Sequence, residues 1–444
     1  MRVVVTGATS FLGLALIREI LATREDAEVI AVLRPGSPKA AEVWECGPRE
    51  RIQICETDMS ETDLLVGILE EYPDEENFVD GDHGFVAQRF DENGKPYKIR
   101  VSYDLDRDLD SKPVADVWFH FAWEGAGSEN RKDAELMKKN VENSINALYT
   151  AGKLGCYRFV FAGSQAEYGL AAGDEDGQNV YCIEGSDEMF IPGDPISEYG
   201  KAKLEFGEKA FALCKQWREE LQEILQEERR EELRGGLRKD LQQELQGGLR
   251  EELPDEFQEM LRKDLREGLL KELQEGRWEG LSAEMQEELW EELQEEPPGM
   301  EYIHARIFSV YGVGDHETSL VKNCIEAFRR DLQLELGECG QAWNYLYVTD
   351  CAKALAALAF RHDGKPMEGV YDVAGGETKP LREFILDIQR LCGGKGKPMW
   401  GMRQPNAEGE TDMAPDISKI TGRTGWKPQV TFEAGIKKML RSTT

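Results

Sequence analysis

Short apolar runs alternate with helix-spaced segments along the chain, and this alternation predicts an α/β fold. Residues 3–5 are all valine, which is typical of a buried parallel strand. A polar, glycine-containing turn follows, and apolar residues then recur at helical spacing over residues 14–21. A second apolar run covers residues 28–33, and Ser164 ends another. The sequence therefore predicts a doubly wound parallel sheet with a smaller C-terminal lobe.

Two stretches depart from this alternation, and we interpret both as inserts. Residues 72–112 contain two alternating segments around Asn93-Gly94, which is a strong β-hairpin signal. We interpret this hairpin as a surface decoration, with a role near a bound ligand as the alternative.

Residues 217–296 are rich in Glu, Leu, Gln and Arg, with a large apolar residue at every fourth position over much of their length. Four residues turn a helix by about 400°, so the apolar stripe drifts roughly 40° per step and offers no fixed seam. Broken, solvated helices are the main interpretation, and a partner-binding or oligomerising arm is the alternative.

Charge and composition exclude several classes of partner. The 444 residues carry a formal net charge of −32, which argues against binding nucleic acid or anionic membrane surfaces. No apolar stretch approaches the roughly 18 residues of a membrane span, and no signal peptide precedes the first strand. The nine cysteines are scattered without metal-ligand spacing. We therefore expect a cytoplasmic protein without a metal site.

The turn at residues 6–13 has the features of a phosphate-binding loop. Gly7 allows a tight turn, and Gly13 lets the following helix pack closely on the strand. The N-terminus of that helix would present free amides to a pyrophosphate. Ser10 occupies the place where a third glycine is usual, and its hydroxyl can bind a phosphate oxygen instead.

Tyr199 and Lys203 are spaced for proton transfer. A phenol has a pKa near 10, and lowering it by about 3 units requires about 4 kcal/mol of extra stabilisation of the phenolate. A lysine one helical turn away can supply it, and Ser164 could hydrogen-bond the same reacting oxygen. Alone, Tyr199 and Lys203 would read as a surface pair. Together with the turn and Ser164 they favour combined hydride and proton transfer.

The order of these motifs resembles the extended short-chain dehydrogenase/reductases, in the NAD(P)-dependent epimerase/dehydratase family that acts on nucleotide sugars. The likeness is closest to 4-keto sugar reductases and implies a Rossmann-type sheet. The matching segments are residues 6–13, 58–59, 116–122, 140–141, 164–169, 199–203, 306–312, 345–350, 416–419 and 425–428.

The resemblance implies a role for each matching residue. Tyr199 would be the acid/base, Lys203 would hold the nicotinamide ribose, and Ser164 would bind the reacting oxygen. The cofactor would lie against Gly7, Thr9, Ser10, Phe11, Leu12, Gly13, Asp58, Met59, Phe121, Ala122 and Asn140. The substrate would contact Trp123, Gln165, Ser309, Trp343 and Tyr345, with simple packing as the alternative for Tyr345.

Three of these positions depart from the family pattern. Ser10 replaces a glycine, Trp123 replaces a small residue, and Ser309 stands where asparagine is common. Gln165-Ala166 replaces the acidic pair of the family's dehydratases, which argues against 4,6-dehydration.

Arg34 indicates the cofactor, because no acidic residue follows the second strand to bind the ribose hydroxyls of NAD. Arg34 and Ser37 offer a charged donor and a hydroxyl to a 2′-phosphate, which favours NADP(H). A solvent-facing arginine is the alternative, and NAD is then the cofactor.

Three functions stay open at this point. A reductase of a 4-keto nucleotide sugar is favoured, a nucleotide-sugar 4-epimerase is the runner-up, and a dinucleotide-sensing regulator is the non-enzymatic alternative. The predicted domains are residues 1–216 for the dinucleotide, 217–298 for the repeat insert, and 299–444 for the end of the sheet and the substrate lobe. We expect a homodimer.

Overall fold

The computed structural model describes residues 1–62, 65–66, 84–90, 96–102, 114–126, 130–169, 195–219, 299–361, 364–404 and 411–442. The chain divides into two compact units, one made of Met1–Ala212 with Met300–Thr444 and the other of Leu213–Gly299. The predicted repeat insert at 217–298 lies almost wholly outside the described residues, so its conformation and role stay predictions.

A parallel sheet forms the centre of the larger unit. Its strands are β1 (Arg2–Thr6), β2 (Glu28–Leu33), β3 (Ile52–Glu56), β6 (Val117–His120), β7 (Arg158–Ser164), β8 (Glu301–Ile307) and β12 (Gly369–Val373). Within the described part of the chain their order is β12-β8-β7-β6-β1-β2-β3, and every neighbouring pair is parallel. The predicted doubly wound sheet is therefore confirmed. From β1 the chain adds strands toward one edge of the sheet, and from β6 it adds strands toward the other edge. A topological switch point therefore lies between β1 and β6.

Within the described residues, the remaining strands form three smaller sheets. They are β4 (Gly84–Phe90), β5 (Pro96–Ser102), β9 (Ser309–Tyr311), β10 (Gln333–Glu335), β11 (Ala342–Tyr347), β13 (Thr378–Pro380) and β14 (Lys397–Met399). β4 and β5 pair antiparallel with Phe90 opposite Pro96, inside the segment predicted to form a hairpin. β13-β11-β9 and β10-β14 belong to the C-terminal lobe.

Helices cover the sheet and complete the lobe. They are α1 (Phe11–Thr23), α2 (Ala40–Trp44), α3 (Ala134–Lys153), α4 (residues 198–219), α5 (Leu320–Arg329), α6 (Val348–Phe360), α7 (Leu381–Leu391), α8 (Ser418–Thr424) and α9 (Phe432–Ser442). Three-residue 3₁₀ helices occur at Arg49–Arg51, Met59–Glu61 and Gln165–Glu167.

The two faces of the central sheet have different cores. On one face, Val3 and Val5 of β1 pack in the same mainly aliphatic cluster as Leu16 of α1 and Leu355 and Leu358 of α6. All five side chains are fully buried. Because side chains alternate along a strand, the side chain of Val4 lies on the other face of the sheet.

The second face is aromatic and positions α4. Phe159 and Phe161 of β7 lie between His120 of β6 and Tyr302 of β8. Phe206 of α4 packs against Phe161 with ring centres 4.4 Å apart, and it is fully buried. Removing a buried phenylalanine costs about 3–5 kcal/mol, so Phe206 is a main determinant of where α4 lies.

Candidate active site

The turn at residues 6–13 is packed as tightly as its backbone allows. Gly7 has φ +64°, and a Cβ there would lie 2.7 Å from the carbonyl carbon of Phe121. A Cβ on Gly13 would lie 2.5 Å from the carbonyl oxygen of Gly7. The turn after β1 therefore meets the end of β6 at the switch point, where dinucleotides bind in folds of this type.

Ser10 caps α1, which changes the part it can play in phosphate binding. Its Oγ accepts a hydrogen bond from the Gly13 amide at 3.0 Å, so its hydroxyl proton stays available to a phosphate oxygen. The side chains of Phe11 and Leu12 pack against the hydrophobic core of the C-terminal lobe. Their amides have no acceptor within the helix and are the groups suited to a pyrophosphate.

Asn140 organises the loop that follows β6. Its Oδ1 accepts a hydrogen bond from the Glu124 amide at 3.0 Å, and its Nδ2 donates to the Glu124 carbonyl at 2.8 Å. The Phe121 amide donates to the Thr6 carbonyl, and the Ala122 amide donates to the Thr6 hydroxyl. These contacts fix the loop carrying Trp123, whereas a direct contact of Asn140 with a cofactor stays a prediction.

Tyr199 is held at the start of α4 by its backbone and its ring. Its amide donates to the Arg131 carbonyl at 3.0 Å, and its side chain is 8% exposed. A Cβ on Gly200 would collide with the Ala166 carbonyl oxygen, so only glycine lets α4 lie so close to the segment after β7. The Trp123 ring lies edge-on to Tyr199 with centres 6.1 Å apart.

Lys203 is buried beneath the same loop. Its Nζ donates to the Ala162 carbonyl at 2.8 Å and lies 3.8 Å from the centre of the Trp123 ring. Burial lowers the pKa of Lys203 to about 7, although the negative charge of Glu167 opposes this shift; the positive charge of Arg131 adds to it. The ammonium is therefore easily deprotonated in the protein without a ligand.

Ser164 is oriented by a capping box at the end of β7. Its Oγ accepts a hydrogen bond from the Ala166 amide at 3.2 Å, and the Glu167 carboxylate accepts from the Ser164 amide at 2.6 Å. With its oxygen used as an acceptor, the Ser164 hydroxyl can donate its proton to a substrate oxygen.

A buried polar network lies behind Ser164. Glu167 accepts hydrogen bonds from Arg306 at 3.0 Å and from His304 at 2.8 Å, and all three side chains are inaccessible to solvent. Burial alone would raise the pKa of the Glu167 carboxyl, but His304, Arg306 and the Ser164 amide outweigh it and hold the pKa at about 2. Burial also lowers the pKa of His304. A neutral His304 would donate from Nε2 to Glu167 and accept at Nδ1 from Tyr302, 2.9 Å away.

Arg34 lies at an exposed rim after β2. It forms an ion pair of 3.7 Å with Glu124, and the two side chains are 72% and 52% exposed. Hydrogen bonds from Ser60 lower the pKa of Asp58, with smaller contributions from Lys139 and Arg34. Ser37 follows Arg34 in a turn closed by a hydrogen bond from the Ser37 amide to the Arg34 carbonyl.

Apart from Trp123, the predicted substrate residues fall into two groups. Gln165 and Ser309 contact each other through two hydrogen bonds. The side-chain Nε2 of Gln165 donates to the Ser309 hydroxyl at 3.2 Å, and its Oε1 accepts from the Ser309 backbone amide at 3.1 Å. Tyr345 packs among the aromatic rings of the lobe, including Phe384 and Phe432. This packing accounts for Tyr345 without a ligand, so its contact with substrate stays a prediction, as does that of the partly buried Trp343.

A sequence model of the NAD dependent epimerase/dehydratase family matches residues 98–220 and 280–374 of the chain. The chain belongs to this family. The match includes Ser164, Tyr199 and Lys203.

Two curated relatives extend the comparison within the family. The chain is 24% identical over 144 residues to dTDP-4-dehydro-6-deoxyglucose reductase of Escherichia coli, covering 32% of this chain and 44% of the relative. It is 26% identical over 148 residues to CDP-abequose synthase of Salmonella muenchen, covering 33% and 49%. The chain thus spans about half the length of the curated relatives it matches.

A solved structure agrees on the fold. The crystal structure of UDP-glucuronic acid 4-epimerase from Bacillus cereus, in complex with UDP-glucuronic acid and NAD, superposes with a TM-score of 0.59. The alignment covers 100% of both chains at 16% identity, a level at which the likeness concerns the fold alone.

The structure adds residues that the sequence did not single out for this family member. Glu167, His304 and Arg306 form the buried network, Arg131 lies against Tyr199, and Gly200 permits the close approach of α4. The sequence did offer a signal for the buried network, because His304 and Arg306 stand among the apolar residues of β8 and a buried charge requires a partner. Arg131 stands in a polar stretch of the sequence, where nothing distinguishes it from a surface residue.

The described residues contain no cluster of three or more His, Cys, Asp or Glu side chains that could hold a metal ion. Within the same residues, no helix is long and apolar enough to cross a membrane.

Proposed function

We propose that this protein is an NADP(H)-dependent oxidoreductase that reduces the 4-keto group of a nucleotide-activated deoxysugar. The observation that carries the proposal is the contact of α4, which holds Tyr199 and Lys203, with the end of β7, which holds Ser164, at the carboxyl edge of the sheet that also carries the Gly7 turn. Folds of this type bind dinucleotides at that edge. The names of the two curated relatives, a reductase and a synthase of nucleotide sugars, support the substrate class.

The residues present suit a nicotinamide dinucleotide. The Gly7 turn and the amides of Phe11 and Leu12 would receive the pyrophosphate, and Lys203 would hold the nicotinamide ribose. A bound nicotinamide supplies the hydride. The protein's part is to place the substrate carbonyl oxygen between Ser164 and Tyr199, donate a hydrogen bond from the Ser164 hydroxyl, and transfer the Tyr199 phenolic proton to that oxygen. The product is an alcohol, and Tyr199 is left as a phenolate stabilised by Lys203.

Arg34 and Ser37 support NADP(H) over NAD in this proposal. Arg34 is exposed at the end of β2, where a 2′-phosphate would lie, and its partner Glu124 is also exposed. An exposed ion pair contributes about 0–1 kcal/mol, less than a charge-assisted bond to phosphate at about 1.5–3 kcal/mol, so the phosphate should displace Glu124. The proposal also includes a cytoplasmic location and a homodimer. Sedimentation of the purified protein would test whether it is a dimer.

The same ion pair favours a second function, an NAD-dependent nucleotide-sugar 4-epimerase. If Glu124 keeps Arg34, the charge that would read the 2′-phosphate is neutralised, and Glu124 supplies a carboxylate near the ribose-binding rim. An epimerase returns its hydride to the sugar within one turnover, so it retains its cofactor.

Cofactor stoichiometry separates the two functions. Purified protein would be incubated with NADPH and a panel of 4-keto nucleotide sugars while the absorbance of NADPH is followed. A reductase consumes one NADPH per product, and hydride from labelled NADPH appears at C4. Tightly bound NAD⁺ in the pure protein, with interconversion of two hexoses and no net cofactor consumption, would establish the epimerase instead.

A further inference from the structure

Arg131 contacts Tyr199 in two ways, although it lies 68 positions earlier in the chain. Its guanidinium carbon is 4.5 Å from the centre of the Tyr199 ring. Its carbonyl accepts the hydrogen bond from the Tyr199 amide at 3.0 Å. Its Nε donates to the Ala126 carbonyl at 3.0 Å, which ties the guanidinium to the loop carrying Trp123.

The Tyr199 ring therefore has two cations near it. The Lys203 Nζ lies 5.7 Å from the ring centre, and the Arg131 guanidinium is closer. A positive charge within about 4–6 Å favours the anionic form of an acid. A cation near an aromatic face is also attracted by the π-electrons, which are denser in a phenolate than in a phenol.

We propose that Arg131 is a positioning residue that stabilises the phenolate of Tyr199 together with Lys203. The inference rests on the proposed function, because it assigns Arg131 to the proton-transfer step of that reaction. Arg131 acts through Tyr199 and is not itself placed on the reacting atoms.

The two cations differ in how they respond to pH. Burial gives Lys203 a pKa of about 7, so its charge falls as the pH rises above 7 in the protein without a ligand. A guanidinium stays charged throughout this range. Arg131 would thus keep a positive charge beside Tyr199 under conditions in which Lys203 has lost part of its own.

Other ionisable groups around Tyr199 and Lys203 affect the expected shift less. Glu167 stays anionic and His120 stays neutral near pH 7, since their pKa values are about 2 and about 3. Among the described residues, Arg131, Glu167, His120 and His304 interact electrostatically with Lys203, and Arg306 forms an ion pair with Glu167. Removing Arg131 also raises the pKa of Lys203, so Lys203 keeps more of its positive charge and offsets part of the expected rise in the pKa of Tyr199.

The phenol can be titrated without any substrate. Tyrosinate absorbance of the full-length protein would be recorded against pH, and the curve of Tyr199→Phe subtracted to isolate Tyr199. Arg131→Gln should move the midpoint upward by about one pH unit, which is roughly a tenfold smaller phenolate fraction at neutral pH. Arg131→Lys keeps a positive charge, so it should bring the midpoint part of the way back to the wild-type value. Arg49→Gln is the matched control, since Arg49 lies 5.8 Å from the Trp44 ring just before β3, at the amino-terminal edge of the sheet.

Turnover supplies the second measurement. In the oxidative direction, which needs the phenolate as base, the apparent pKa of the rate should rise by the same amount in Arg131→Gln and stay unchanged in Arg49→Gln. An unshifted midpoint in a folded Arg131→Gln would overturn the inference, and so would an unshifted midpoint in Arg131→Met if the Gln variant fails to fold. A wild-type protein without nucleotide-sugar turnover would instead reject the proposed function, with the absorbance titration still deciding the role of Arg131.

Discussion

The interior of the candidate site and its rim are built on different physical principles. Around Tyr199 and Lys203 the side chains are buried, and each is fixed by contacts from several elements. Around Arg34 the side chains are exposed, and one ion pair of 3.7 Å connects the rim to the loop after β6. Packed interiors tolerate little change, whereas exposed ion pairs contribute little and exchange partners easily. We therefore expect the reaction type to be fixed by the interior and the choice of cofactor to be adjustable at the rim.

Removing the phenolic hydroxyl should have the largest effect. Tyr199→Phe keeps the ring contacts with Trp123 and Arg131 and deletes the group that exchanges the substrate proton. Turnover should fall by about 10²–10⁴-fold, while the affinity for NADP(H) stays nearly unchanged. Steady-state rates and cofactor titration by fluorescence would measure the two quantities. Tyr149→Phe on the exposed side of α3 is the control, and a Tyr199→Phe variant at wild-type rate would show that the roles are misassigned.

Local signals in the sequence predicted the parallel sheet, which is confirmed, and the candidate residues of the interior. The glycine turn, the strand endings and the Tyr-x-x-x-Lys spacing each depend on neighbouring residues, and the sheet follows from apolar periodicity. The pairing of Glu167 with His304 and Arg306 joins positions 137 and 139 apart, which no local pattern can reveal. Trp123 was predicted as a substrate contact, but its covering of Lys203 depends on how the loop folds back over α4.

At the rim, Arg34→Ala should separate the two cofactors. Losing a charge-assisted contact of about 1.5–3 kcal/mol should weaken NADPH binding roughly 10- to 150-fold, with little effect on NADH. Isothermal titration with both cofactors measures this difference, and Arg18→Ala on the exposed face of α1 is the matched control. Equal losses for NADPH and NADH would mean that Arg34 does not contact the 2′-phosphate, which would favour the NAD-dependent alternative.

The burial of Lys203 should lower the stability of the protein without a ligand, and the size of this loss should depend on pH. A lysine in an unfolded chain has a pKa of about 10.4, whereas burial lowers the pKa of Lys203 to about 7. Between these values the unfolded state binds more protons, so the contribution of Lys203 to stability rises with pH through this window. Lys203→Met should therefore raise the melting temperature at pH 7 by a few degrees, at about 2–4 °C per kcal/mol in domains of 150–250 residues.

The gain in Lys203→Met should shrink as the pH approaches 10, and turnover should be lost. Lys209→Met, on an exposed turn of the same helix, should show neither effect, because Lys209 forms a surface ion pair with Glu205. A lower melting temperature for Lys203→Met at pH 7 would mean that the contacts of the ammonium with Ala162 and Trp123 outweigh its burial.

The smallest expected effect concerns Glu124, the partner that joins the rim to the loop after β6. Its carboxylate competes with a 2′-phosphate for Arg34, and an exposed pair of this kind is worth about 0–1 kcal/mol. Glu124→Gln should therefore tighten NADPH binding by up to roughly fivefold. Combining it with Arg34→Ala should abolish the gain, because the two side chains act on the same phosphate. Glu135→Gln in the first turn of α3 controls for the change in net charge. Weaker binding of NADH in Glu124→Gln, without tighter binding of NADPH, would show that Glu124 serves the ribose of NAD, and the rim would then select the cofactor of an epimerase.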